Sequence, residues 1–163
     1  MNNSFAHFKK IITNKLKFRI FLLKNLPLVL FSGIQIQALS QQQAIISLKQ
    51  KWFNKNPFRS IYFAALSMAA ELSTGVLCMA NIYKIKPALS MLLIKTEADF
   101  YKKATGKIIF ICNDGELINK SITHAIETKE SVTVKCYSCA KNKNKETVAS
   151  FYFTWSFKVK TKQ

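Results

Sequence analysis

The sequence predicts an α+β fold in which an antiparallel β-sheet wraps around one long central helix, with a helical extension at the N-terminus. Three observations carry that expectation. Between Ser60 and Tyr83 the only charged residue is Glu71, so a helix there would be buried nearly all round. In the last strand Phe151, Phe153, Trp155 and Phe157 alternate with Ser150, Tyr152, Thr154, Ser156 and Lys158, the period of a strand with one buried face. Further alternating runs precede it, in the order helix, β-hairpin, long helix, two strands, short helix, two strands. At 163 residues the chain suits a single domain with a core of its own.

Residues 1–31 read as a helical extension packing on the domain, which occupies 32–163. Phe5, Phe8, Ile12, Leu16, Ile20 and Leu23 recur at three- and four-residue spacing among Lys9, Lys10, Lys15, Lys17 and Lys24, until Pro27 interrupts. Such a stripe packs on its own domain or, being basic, lies on an anionic membrane surface. Ile34, Ile36 and Ala38, then Ala44, Ile46, Leu48 and Trp52, alternate with polar residues on either side of Ser40-Gln41-Gln42, as in a hairpin. Asn56 reads as the cap of the long helix and Pro57 as its first residue. That helix would reach ~36 Å, enough to cross a membrane. Its Ala, Ser, Thr and Asn content and a central carboxylate, costing ~2.5–3.5 kcal/mol in lipid, argue for the inside of a soluble domain.

Downstream, Leu92, Ile94, Thr96, Ala98 and Phe100 form one face of a strand. A turn at 102–106 leads to a returning strand over 107–113. Asp114 reads as the cap of a short helix whose apolar face is Leu117, Ile118, Ile122, Ala125 and Ile126. Residues 131–140 alternate again, and 141–145 form a charged hairpin tip.

Composition narrows the function. There are 25 Lys and Arg against 8 Asp and Glu, a formal charge of +17. Only Arg19 and Arg59 are arginine, and there is no arginine cluster, recognition helix or aromatic RNA-binding signature. No specific nucleic acid is therefore expected, and generic electrostatic binding to nucleic acid or an anionic membrane is the residual reading of the charge. The two His exclude a multi-histidine metal cluster, and no metal is expected. Cys78, Cys112, Cys136 and Cys139 lack the setting of a secreted disulfide framework, and the compartment is read as cytoplasmic with reduced thiols. Cys136 and Cys139 would point to opposite faces of a strand.

The chemistry converges on Glu71. Ala64, Ser67, Met68, Thr74, Gly75 and Cys78 lie on its side of the helix; apart from Met68 these are small, and small residues beside a buried carboxylate leave room for a ligand. They equally permit close packing around a structural acid paired with a cation.

The stretch Asn56-Pro-Phe-Arg-Ser-Ile-Tyr-Phe-Ala-Ala-Leu-Ser-Met-Ala-Ala-Glu-Leu-Ser-Thr-Gly75 resembles the central helix of hotdog-fold thioesterases, closest to an uncharacterised branch related to the phenylacetate-pathway enzymes. Asn56 matches that family's Asn and Glu71 its acid, while Tyr62 stands at its His and Phe63 and Ala64 at its two glycines. Thr96 to Gly106 resembles the following strand and turn, and the likeness runs from Ile34 to Val159. The resemblance implies a hotdog fold and a site shared between two subunits, hence a homodimer or a dimer of dimers. It implies catalysis by Glu71, with Asn56 and Tyr62 beside it and the backbone N–H groups of Phe63 and Ala64 holding the oxyanion. Arg59, Ser67, Thr74, Gly75, Lys102, Lys103 and Lys107 are the candidate substrate contacts, the cations meeting the phosphates of coenzyme A. Coenzyme A enters as part of an acyl-CoA substrate, and no separate cofactor is expected. The alternative is a hotdog module that binds an acyl group without turning it over.

Overall fold

The computed structural model describes residues 3–160. Three helices come first: α1 (Asn3–Thr13), α2 (Lys15–Asn25) and α3 (Pro27–Ser32). The hairpin of β1 (Ile34–Leu39) and β2 (Ala44–Lys49) follows, then a 3-10 turn at Trp52–Asn54 and the long helix α4 (Phe63–Ile82). The chain ends with β3 (Leu89–Phe100), β4 (Lys107–Cys112), α5 (Gly115–Thr128), β5 (Val132–Lys141) and β6 (Thr147–Val159). The six strands form one antiparallel sheet in the order β1-β2-β4-β5-β6-β3. The expected α+β architecture is present, with the sheet curved around α4.

Helix α4 is long and apolar enough to cross a membrane, yet 12 of its 20 residues are buried inside the domain. Ala69, Ala70, Leu77 and Cys78 are fully enclosed. The aromatic stripe of β6 supplies the opposing wall, with Phe151, Phe153, Trp155 and Phe157 all buried. Burying one such ring is worth ~1.5–3 kcal/mol, so this stripe and α4 hold each other in place. The Ser138 hydroxyl oxygen accepts from the Ser73 hydroxyl at 2.8 Å within that interface.

Several elements differ from the sequence reading, each for a local reason. Residues 1–31 are not one helix. Asn14 restarts the chain by accepting from the Lys17 N–H at 3.0 Å, and this cap shifts the helical phase. Phe5, Phe8 and Ile12 are buried as expected, but on α2 it is Phe18 and Leu22 that turn inward, while Leu16, Ile20 and Leu23 face solvent. Trp52 does not continue the hairpin; it is exposed on the 3-10 turn. Asn56 and Pro57 do not begin α4, which starts six residues later, at Phe63. Asp114 precedes α5 but does not cap it with its side chain; its carboxylate accepts the Tyr137 N–H of β5 at 2.5 Å. Ile118, Ile122 and Ala125 of α5 are buried, whereas Leu117 is exposed.

Strand β3 lies at the sheet edge, and an irregularity between Leu93 and Lys95 splits the predicted face. Leu92 pairs with Ser156 on the outer side, while Thr96, Ala98 and Phe100 pair with Phe153, Phe151 and Ala149. Those three therefore point to the inner side, yet all three are exposed. This end of the inner face is not covered by α4.

Gly115 shows where α5 meets the hairpin. A Cβ there would come within 2.0 Å of the Gln41 carbonyl oxygen, and the Gly115 N–H donates to the Gln42 carbonyl at 3.1 Å. Gly106, by contrast, has open space around it but a φ of +70°. Gly115→Ala should therefore cost ~1–3 kcal/mol or more through overpacking, and Gly106→Ala only ~1 kcal/mol through backbone strain. Urea unfolding of the two variants side by side checks the order.

Candidate active site

The predicted site residues fall into two groups. The first gathers at the start of α4. The segment before the helix is shaped by Asn56, whose Oδ1 accepts from the N–H groups of Phe58 and Ser60 at 3.0 and 3.1 Å and from the Ser60 hydroxyl at 3.2 Å. Instead of capping α4, this Asn folds the loop leading to it. The Ile61 N–H donates to the Ala104 carbonyl at 2.8 Å and the Tyr62 N–H to the Asn54 carbonyl, also at 2.8 Å. Gln50 ties the same loop to the next turn, donating to the Arg59 carbonyl and accepting from the Gly106 N–H.

These bonds frame a cleft of about 410 Å³ between the loop, the first turn of α4 and the end of β3. Asn56, Tyr62, Phe63, Lys102 and Lys103 line it. So do Phe100 and Tyr101, which the sequence reading left out of the site. Their position after a run of alternating residues was the available signal, but the phase change at Ile94 hid the direction in which they point. The Phe100 ring sits edge-on to Phe63 at 6.4 Å and to Phe151 at 5.6 Å. Tyr62 is the residue before α4 and makes no side-chain cap. The N–H groups of Phe63 and Ala64, the first two of the helix, donate to no carbonyl among the described residues. They are orphan donors at the positive end of the helix dipole.

Of the cations, Lys102 is held by Glu146, and Lys103 has no ion-pair partner among the described residues. Arg59 and Lys107 are exposed and do not line the cleft. Arg59 has a φ of 60°, imposed by the tight loop that Asn56 organises.

The second group surrounds Glu71. Gly75 leaves space for its carboxylate: a Cβ on Gly75 would lie 2.9 Å from Glu71 Oε1 and 3.3 Å from Trp155. Thr74 is fully buried, and its hydroxyl is used on both sides. It donates to the Glu71 carbonyl at 3.0 Å and accepts from Trp155 Nε1 at 3.0 Å. Thr74 therefore fixes the helix against β6 and presents no group to a ligand. Ser67 spends its hydroxyl on the Phe63 carbonyl at 3.0 Å.

The half-buried Glu71 carboxylate has no hydrogen-bond or ion-pair partner among the described residues. The structural acid paired with a cation is thus not what the chain contains. Burial, uncompensated by any donor, pushes the carboxyl up from 4.5 to about 7. Neither group is complete alone: Phe63 and Glu71 are eight residues apart, about 12 Å along the helix axis.

This architecture defines the class: the chain has the hotdog fold. It belongs to the family described as "Domain of unknown function (DUF4442)", whose profile matches residues 14–157. Solved structures agree on the fold. PA5026 from Pseudomonas aeruginosa, described as a protein of unknown function and probable thioesterase, is similar at TM-score 0.76 and 19% identity over 92% of this chain and 99% of its own. OLEI01261 from Chlorobaculum tepidum, of unknown function, is similar at TM-score 0.76 and 15% identity, covering 92% and 98%. The thioesterase HI1161 from Haemophilus influenzae is similar at TM-score 0.61 and 9% identity, covering 90% and 94%. No curated protein sequence matches the chain.

The raised Glu71 carboxyl has a signed consequence for stability. The folded state holds its proton to higher pH than the unfolded state, so the contribution is fully present below about 4.5 and is lost as pH rises through about 7. Glu71→Gln removes that loss. The variant should gain roughly 3 kcal/mol over the wild type at alkaline pH and little at acid pH. Denaturant midpoints of both proteins measured across that range check the difference.

Proposed function

We propose that the protein is a thioester hydrolase acting on acyl-CoA-type substrates, with a site completed between two copies of the chain. The observation that carries this reading is the half-buried Glu71 carboxylate, without a partner among the described residues and set beside Gly75 and Trp155, where loss of water pushes it up to about 7. A carboxylate poised near neutrality is half ionised at working pH and strong enough to take a proton from water. In the general-base route Glu71 removes a proton from water as the oxygen attacks the thioester carbonyl carbon. The oxyanion is stabilised by the N–H groups of Phe63 and Ala64. The C–S bond then breaks, the acid departs, and the thiolate leaving group takes the proton from Glu71. Direct attack by Glu71, giving an anhydride that water then hydrolyses, uses the same atoms.

Both the base and the oxyanion donors must sit within ~3 Å of the reacting group, which one chain cannot arrange across about 12 Å of helix. A second copy supplies the missing half. Edge strand β3, with Leu92 and Ile94 exposed and its outer backbone groups unpaired within the chain, is the surface for that pairing. Trp155, beside Glu71, pairs with Leu93 of this strand, and Phe100 at its end walls the cleft. Copies joined along β3 would bring one chain's acid toward the other's cleft. Lys103, and Lys102 once released by Glu146, would meet coenzyme A phosphates there.

A second reading, acyl-CoA binding without turnover, is favoured by Phe63, whose exposed ring stands where the related enzymes have a glycine.

Glu71→Gln should lower the rate of acyl-CoA hydrolysis by ~10²–10⁴-fold while preserving binding. Phe63→Pro deletes one oxyanion donor at a helix position that tolerates proline, and should also be inactive. Refolding the two dead variants together should restore about one-quarter of wild-type activity, because each mixed dimer regains one intact site. Equal activity of Glu71→Gln and wild type would overturn the catalytic role. Absence of complementation between two inactive, folded variants would overturn the shared site.

A further inference from the structure

We propose that α2, α3 and the 3-10 turn form a docking face for an anionic lipid membrane. The phase shift at Asn14 gives α2 two apolar sides. Phe18 and Leu22 pack inward, and Leu16, Ile20 and Leu23 stand on the opposite side at 69%, 47% and 59% exposure. At 3.6 residues per turn those three fall within about 60° of one another, a stripe and not scattered surface leucines. Lys15, Lys17, Arg19 and Lys24 are exposed along both flanks of it. On α3, which packs directly on α2, Leu28 and Phe31 are also exposed, at 63% and 60%. From Phe31 it passes to Phe53 at 6.3 Å and from there to Trp52, also at 6.3 Å. Lys55 stands over the Trp52 ring.

Charge selects the occupant. The first 70 residues hold ten Lys and Arg and no Asp or Glu. A second copy offering the same face would bring like charges together, so self-docking is opposed. An outward apolar stripe flanked by cations is the arrangement of a helix lying in the headgroup plane, with apolar side chains below and basic side chains reaching back to lipid phosphates. Trp52 suits the edge of such a contact. On the inner flank of α2, against β1, a cleft of about 550 Å³ is lined by Lys15, Arg19 and Lys51 and by no acid, so the basic character extends beyond the stripe itself. The face also stays free in the proposed dimer, because the helices pack at the β1 end of the sheet and β3 is the opposite edge. The inference is independent of whether the protein is an enzyme.

The test is flotation of the full chain with phosphatidylcholine vesicles, either pure or containing roughly 30% phosphatidylglycerol, at about 0.1 M salt. The wild type should partition at least ~10-fold better onto the anionic vesicles. The triple variant Leu16→Ser, Ile20→Ser, Leu23→Ser replaces exposed side chains, should melt like the wild type, and should lose ~10-fold or more of the binding. Lys15→Gln with Arg19→Gln should weaken binding similarly, and Lys141→Gln with Lys143→Gln, at the distant hairpin tip, should not. Three results would overturn the proposal: no preference for anionic vesicles, full binding by the folded triple variant, or a lipid-free oligomer of the wild type that the triple variant dissolves. The last would assign the face to a second copy, and failure to bind vesicles with capture of an acidic polypeptide would assign it to a protein.

Discussion

The structure depends on burying one helix nearly all round. Helix α4 has too little polar surface to face water, so the strands must wrap it. Small residues let them approach: Ala69, Ala70, Ser73 and Gly75 bring the sheet close to the helix backbone, and the aromatic stripe of β6 fills what remains. The Trp155–Thr74–Glu71 chain of hydrogen bonds pins that contact through the helix backbone. A carboxylate placed on this helix inherits the environment. With no donor to compensate for lost water, it is raised toward neutrality by burial alone, which is the property the proposed base role needs.

The same wrapping is incomplete at one corner. The inner face of β3 beyond Leu93 and the first turn of α4 leave a cleft walled by Phe63, Phe100 and Tyr101. Orphan N–H groups lie at that end and the orphan acid lies two turns away. A single chain therefore holds two halves of a site that do not meet, next to an edge strand that has only one neighbour. The proposed second copy along β3 would meet both features, the open edge and the divided site.

Long-period features were legible in the sequence. The bare stretch around Glu71 and the alternation in β6 depend on burial summed over many residues, and both came through unchanged. The likeness to hotdog thioesterases gave the fold for the same reason. Features set by one side chain or one extra residue did not come through. Asn14 resets a helix that its apolar spacing would continue, because a cap competes locally with the periodic pattern. The irregularity before Lys95 reverses the faces of β3, since side-chain direction has a period of two. Asn56 is a plausible cap by residue type, yet its oxygen is consumed by the loop of Phe58 and Ser60. At the site, Glu71 and Gly75 were identifiable together, whereas Phe100 and Tyr101 required the cleft to be seen. Thr74, on the expected helix face, is spent on holding Trp155.

The excess positive charge takes on a location in this account. The first 70 residues hold ten of the cations and no acid; the helices α1 and α3 among them pack at the β1 end of the sheet, opposite β3, and Glu71 is the first acid in the chain. The central claim concerns that acid: its carboxylate is half-buried and has no partner among the described residues. The direct measurement is a carbon-13 NMR titration of the Glu71 side-chain carboxyl, assigned by its loss in Glu71→Gln. The account predicts a midpoint at about 7; a midpoint at 4.5 or below would mean that the carboxylate is solvated or paired, and would contradict it.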